Sequence, residues 1–120
     1  MPRRPAAAAQ LVASFDSPLL RALAEPARHE ILRVLILHGP TDIQTIASHL
    51  PQDRSVVSRH LKTLVEGGVV AGRREGRNQL YAVDAPTVVS ALERLSARVK
   101  RLAPLCCRPL PADGIRPAAR

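Results

Sequence analysis

The stretch that most constrains the fold runs from Thr41 to Val83. It holds two short segments of helical apolar spacing, separated only by Pro51-Gln52, and the second stops at Gly67-Gly68. Ile43, Ile46, Ala47 and Leu50 form the inward stripe of the first, and Val57, Leu61, Leu64 and Val65 that of the second. Thr41 with Gln44 three residues on reads as a capping box, and Asp53 as the cap of the second helix. Beyond the glycines, Val69–Arg73 and Asn78–Val83 are β-type runs around Arg74-Glu75-Gly76-Arg77, a hairpin with glycine in its turn. Two short helices across a tight turn, followed by a two-stranded hairpin, predict a winged helix-turn-helix.

The flanking segments extend this unit. Leu11, Phe15, Leu19, Leu20 and Leu23 recur at helical spacing, with Pro18 as a kink or a break. Glu25-Pro26 closes that element and opens the next. Ala27, Ile31, Leu32, Val34, Leu35 and Leu37 make the following helix apolar all round, which predicts a central position. Gly39-Pro40 stops it. A last helix starts near Asp84–Pro86, and its apolar residues Val88, Leu92, Leu95, Val99 and Leu102 step by four and three. Pro104 is expected to end it. The class is mainly α with a small β-hairpin, in the order α-α-α-α-β-β-α. Residues 1–10 read as a flexible basic arm, 11–103 as the domain, and 104–120 as a Pro-rich tail with a cysteine pair.

Composition narrows the function. The 120 residues carry 18 Lys and Arg against 10 Asp and Glu, a formal charge of +8. The charge is concentrated: +3 over residues 53–77 and +6 over 94–120, with −1 over 15–52. That is the footprint of a phosphate-binding surface. Phe15 and Tyr81 are the aromatic residues and tryptophan is absent, which argues against reading single strands by base stacking. At 46% hydrophobic residues, the chain is not of the disordered class. Two cysteines, adjacent in sequence, do not make a disulfide-stapled secreted domain. No stretch approaches the roughly 18 apolar residues of a membrane span. Arg3 and Arg4 before Ala6–Ala9 imitate a signal peptide only faintly, because Gln10 interrupts a short, mostly alanine run. The expectation is a cytoplasmic protein with no membrane partner.

If Val57, Leu61 and Leu64 face inward, then Arg54, Ser55, Ser58, Arg59 and Lys62 project outward. Such a helix sets its N-terminal residues against base edges of double-stranded DNA, where Arg can pair with guanine and Ser with several bases or a phosphate. Arg73, Arg74 and Arg77 lie by the hairpin turn, within reach of phosphates or a neighbouring minor groove.

Several stretches carry a resemblance to a known family. They are Leu20–Pro26, Arg28-x-x-Ile31-Leu32, Ser55-Val56-Val57-Ser58-Arg59-His60-Leu61-Lys62-x-Leu64, and Gly67-Gly68-Val69-Val70 through Arg74-Glu75-Gly76-Arg77. Over roughly residues 15–100 the chain resembles the ArsR/SmtB family of bacterial metal-responsive repressors. The resemblance implies a homodimer that leaves its DNA operator when an inducer binds. It places Ser55, Ser58, Arg59, His60 and the wing arginines at DNA-contacting positions. For the dimer, the regular seam Val88, Leu92, Leu95, Val99 and Leu102 is expected to pack across a two-fold axis, together with Leu11 and Phe15.

Family inducer sites differ in place. A Cys-x-Cys pair on the third helix would fall at Asp42–Thr45, where there is no cysteine. An Asp-x-His…His-x-x-Glu set on the last helix is missing, since residues 85–103 hold no histidine and one acid, Glu93. Cys106 and Cys107 remain. Neighbouring thiolates can clamp one soft ion, and Arg101 and Arg108 favour the thiolate form. A subgroup of the family senses arsenite with adjacent cysteines near the C-terminus, usually with a third cysteine, which this chain lacks. As(III) or Sb(III) is therefore the expected inducer. A redox- or other soft-metal-responsive repressor and a DNA-binding protein without a sensor are the rival readings. No catalytic constellation appears, so no enzyme is expected. His29, His38, His49 and His60 are spaced by nine, eleven and eleven over three helices. They read as surface or helix-end residues, with His60 at the DNA face, because no pair has the spacing of a helical chelate.

Overall fold

The computed structural model describes residues 3–108 and 110. Its first two helices, α1 (Arg3–Ser14) and α2 (Pro18–Leu23), are separate. Ser17 makes the break: its hydroxyl accepts the Leu20 N–H at 3.0 Å, and Pro18 fills the first turn of α2. The loose arm expected over residues 1–10 is corrected, because the helix already begins at Arg3. The run Ala6–Ala9 has the highest helix propensity of any residue type, and α1 gains a partner by lying against the last helix. Met1 and Pro2 fall outside the described residues.

The central helix is α3 (Pro26–His38), which buries Ile31, Val34 and Leu35. Its C-terminal turn departs from the expected all-round burial, with Ile36 and Leu37 exposed. Arg28 binds α3 to α2, its guanidinium donating to the Arg21 and Ala22 carbonyls at 3.0 and 3.2 Å. The Arg21 carbonyl also accepts the Ala24 N–H at 3.2 Å, so the side chain adds to the cap of α2 at Arg21 and reaches the Ala22 carbonyl of its last turn.

Thr41–Asp42 is a short strand, β1, which the sequence pattern did not reveal. It precedes α4 (Ile43–Ser48), and the cap of α4 is Asp42, not Thr41. The Asp42 carboxylate accepts the Thr45 N–H at 2.8 Å, while Thr41 is committed to the sheet. That bond from the Thr45 backbone holds the Asp42 carboxyl below its ordinary value, with help from the Thr45 side chain and the Arg54 charge.

The next helix, α5 (Arg54–Glu66), buries Val57, Leu61 and Leu64; Val65, expected in the same stripe, is exposed. Asp53 occupies the cap position without a side-chain hydrogen bond. At the other end the Gly68 N–H reaches the Val65 carbonyl and the Val69 N–H the Leu64 carbonyl, both at 3.0 Å. This is the Schellman arrangement, and Gly68 takes the left-handed φ of +80° it requires. Gly67 is needed for a different reason. A Cβ there would stand 2.8 Å from the Pro18 carbonyl oxygen and 2.9 Å from the Ala22 Cβ, so α2 crosses α5 too closely for a side chain.

The hairpin consists of β2 (Val70–Glu75) and β3 (Asn78–Val83). With β1 it forms an antiparallel sheet of order β1-β3-β2, Thr41 opposite Tyr81 and Asp42 opposite Leu80. The chain passes directly through Asp84 into α6 (Ala85–Cys106), Asp84 capping it by accepting the Thr87 N–H and hydroxyl. Pro104 does not end α6, as expected, but lies inside it, and the Cys107 N–H still bonds the Ala103 carbonyl at 2.9 Å. The missing proline N–H costs one intrahelical bond near the helix end, where few remain to be lost. The remainder of the expected tail, Pro109 and residues 111–120, lies outside the described residues.

The core is built from α2, α3, α4, α5, Val69 and the start of β2. Neither α1 nor α6 has a buried residue. The result is elongated, 56 × 34 × 21 Å with a radius of gyration of 18.7 Å, against about 13–14 Å for a compact chain of this length.

Candidate nucleic-acid interface

The α5 stripe turns the opposite face of that helix outward. Arg54, Ser55, Ser58, Arg59 and Lys62 are exposed, and His60 is half-buried. The N-terminal turn of α5 therefore presents free backbone N–H groups beside Arg54 and Ser55, a combination that attracts anions.

The sheet register separates the wing arginines. Side chains alternate between the two faces of a strand, and residues paired across strands share a face. Gly72 pairs with Tyr81 and Arg74 with Gln79. Gly72, Gln79 and Tyr81 line one groove with Ser58, Lys62, Val65 and Glu66 of α5. Arg74 thus stands on the face turned to the recognition helix. Arg73 pairs with Leu80 and shares the opposite face with Pro40, Ala71 and Ala82. Its guanidinium is 3.0 Å from the Glu75 carboxylate. Arg77 sits in the turn beside Gly76 and is exposed. The nine residues expected at the DNA face thus divide: Ser58 and Lys62 border the groove on the sheet face that carries Arg74, while Arg73 lies on the opposite face. Gln79 and Tyr81 belong to the groove and were not picked from the sequence, although their pairing opposite Arg74 and Gly72 follows from a two-residue turn.

A second surface lies along α1 and α6, which pack together and are joined by a hydrogen bond from Arg98 to the Ser14 hydroxyl. Of the seam expected there, Val88 packs on the core, and Leu95 and Leu102 are half-buried. Leu11 is also half-buried. Phe15, Leu92 and Val99 are 55%, 45% and 46% exposed, and Val12 and Val89 join them.

Cys106 and Cys107 are joined as a disulfide at the C-terminal end of α6. They line a cavity of about 350 Å³ with Arg4, Ala103, Pro104, Leu105 and Arg108. Two guanidinium groups and, among the described residues, no carboxylate border the sulfurs.

The HVO_A0114 family model matches residues 23–89, from the end of α2 into α6. A probable mercury resistance operon repressor of Streptomyces lividans is 35% identical over 96 residues, 78% of this chain and 76% of that protein. The chain belongs to the ArsR/SmtB family of winged helix-turn-helix transcriptional regulators. The transcriptional repressor SmtB of Mycobacterium tuberculosis is 40% identical over 85 residues, 67% of this chain and 58% of that one. Among solved structures, a possible transcriptional regulator for arsenical resistance superposes with a TM-score of 0.57 at 28% identity, covering 83% of this chain and 98% of that one. A homodimeric winged helix-turn-helix DNA-binding domain from Mycobacterium bovis gives 0.55 at 29% identity, covering 83% and 90%. The HVO_A0114 match spans the helix-turn-helix and wing, the elements that carry the outward basic residues. Among the described residues no helix is long and apolar enough to cross a membrane.

Proposed function

We propose that the chain is a homodimeric repressor that binds operator DNA through α5 and the wing, and leaves it when a thiophilic ion binds Cys106 and Cys107. The observation that carries the DNA reading is the single face shared by the α5 residues Ser58 and Lys62 and the wing residue Arg74. Arg59 and Ser55 are assigned to base edges in the major groove. Lys62, Arg74 and Arg77 are assigned to phosphates, which set affinity and salt dependence but carry no sequence information. Arg54, Ser58 and His60 complete the contact surface.

The second copy packs on α1 and α6. Neither helix has a buried residue, and Phe15, Leu92 and Val99 leave apolar area that a two-fold partner covers. In the dimer the two α5 helices meet successive major grooves, about 34–36 Å apart.

The inducer is assigned to As(III) or Sb(III). Reduced, Cys106 and Cys107 supply two sulfurs on one turn, and soft sulfur selects thiophilic ions. Arg4 and Arg108 beside them favour the thiolates. The kinship with a probable mercury resistance operon repressor supports a metal as inducer. Titration of the reduced protein on its operator with arsenite, antimonite, Hg(II), Cd(II), Zn(II), Cu(I) and peroxide tests the assignment. Arsenite or antimonite should release DNA from the wild type and not from the Cys106→Ser, Cys107→Ser protein, while both bind operator equally. Release of that double variant by arsenite would make the cysteines bystanders. Release of the wild type by peroxide alone would assign them to oxidation.

A further inference from the structure

Among the described residues no three His, Cys, Asp or Glu side chains gather as a metal-binding set. One pair of histidines does meet, far from the cysteines. His38 ends α3 and His49 follows the last turn of α4. Their ring centroids are 4.4 Å apart and the ring planes are inclined at 41°. Both residues are exposed, so a hydrated ion can reach them.

The hydrogen bonding of His38 sets the chemistry. Its Nδ1 lies 3.0 Å from the Val34 carbonyl oxygen, which can only accept. In the neutral ring Nδ1 therefore carries the proton, and Nε2 keeps its lone pair. That is the arrangement of metal-bound imidazoles, which donate their other ring N–H to a carbonyl or carboxylate. The spacing also fits. Two imidazoles bound cis to one ion, with metal–nitrogen bonds of about 2.0–2.1 Å, have centroids about 4.5 Å apart. The observed centroid separation is 4.4 Å.

We propose that His38 and His49 form a two-imidazole chelate for a divalent transition-metal ion, with water in the remaining positions. Cu(II) is the preferred occupant, since it heads the affinity order for nitrogen sites and favours tetragonal geometry with cis ligands near a right angle. Ni(II) and Zn(II) follow. The chelate ties the end of α3 to the first helix of the helix-turn-helix, next to the Leu50–Asp53 turn that leads into α5. It is independent of the cysteine pair.

The test uses the full chain with Cys106→Ser and Cys107→Ser, so that thiols neither bind nor reduce copper. Calorimetric titration with Cu(II) should give one ion per chain, and its electron paramagnetic resonance spectrum should show coupling to imidazole nitrogens. Loss of an outer-sphere partner alone weakens metal sites about 10–100-fold, so His38→Gln and His49→Gln should each weaken binding by at least about ten-fold. His29→Gln and His60→Gln should leave it unchanged. Circular dichroism of each variant separates lost binding from lost fold. Copper broadening of the His38 and His49 ring resonances at substoichiometric ion gives a readout without substitution. Wild-type affinity in either His38→Gln or His49→Gln, or broadening centred on His29 or His60, overturns the proposal. So does the absence of stoichiometric binding in the parent protein.

Discussion

Replacing Arg74 by alanine should weaken DNA binding through its salt-dependent part, and replacing Arg73 should do so far less. The two are neighbours in sequence with the same charge, so composition gives no reason to separate them. The register does: Arg74, opposite Gln79, faces the groove beside Ser58 and Lys62, while Arg73 faces Leu80 and is held by Glu75. Each phosphate neutralised contributes about −0.9 to the slope of log K against log salt. A dimer with one Arg74 contact per protomer loses two, so the slope should flatten by about 1.8. Between about 50 and 200 mM salt the wild-type advantage should then shrink by about twelve-fold, four raised to that power. Fluorescence anisotropy with a labelled operator, repeated over this salt range, measures the slope directly. A scrambled duplex should give the same flattening, since phosphates are common to both. Equal slope changes for Arg73→Ala and Arg74→Ala would refute the assignment of faces. An unchanged slope for Arg74→Ala would remove the wing from the phosphate contacts.

Three further outcomes are expected. Leu92→Asp should yield a monomer in sedimentation analysis with its helical content intact, because Leu92 is exposed on the α6 face and contributes nothing to the core; a dimer of unchanged stability would move the interface elsewhere. Gly67→Ala should lower stability by about 1–3 kcal/mol, the usual cost of overpacking, because the added methyl meets the Pro18 carbonyl oxygen at 2.8 Å; chemical denaturation should show the loss, and a neutral effect would mean that α2 yields easily. The Asp42 carboxyl has its folded value lowered, so its contribution is complete above the ordinary value of 3.8 and is lost as pH falls through the lower folded value. The stability advantage of wild type over Asp42→Asn should accordingly vanish in acid; an advantage that grows on acidification would contradict the cap.

The helix-turn-helix was legible because its signals are local and agree. Val57, Leu61 and Leu64 recur at the helical period, and Gly67-Gly68 and Gly76 punctuate the chain where the structure turns. β1 was not legible, since two residues carry no periodicity and Thr41–Asp42 is a strand only because β3 lies beside it. The same pairing moved the cap of α4 from Thr41 to Asp42. Pro104 signals a helix end only locally, whereas the helix around it is long enough to absorb one lost bond. The candidate site was half legible. The outward set on α5 follows from the inward one. The parting of Arg73 from Arg74 needs the knowledge of which sheet face meets α5. The meeting of His38 and His49 depends on how α3 and α4 cross, which the ten intervening residues do not disclose.

The direct join of β3 to α6 through Asp84 has a mechanical side. A helix of 22 residues is about 33 Å long at 1.5 Å per residue. Its first turn is fixed to the wing with no slack in the connection, and its last turn carries the two cysteines. Such a rod turns small angles into large displacements. A tilt of about 5° around the cysteine end swings the wing end by about 3 Å at that length, comparable to a hydrogen bond and enough to lift an arginine off a phosphate. The cysteine pair and the wing are therefore opposite ends of one lever, and the stiffness of α6 between them governs how much movement arrives.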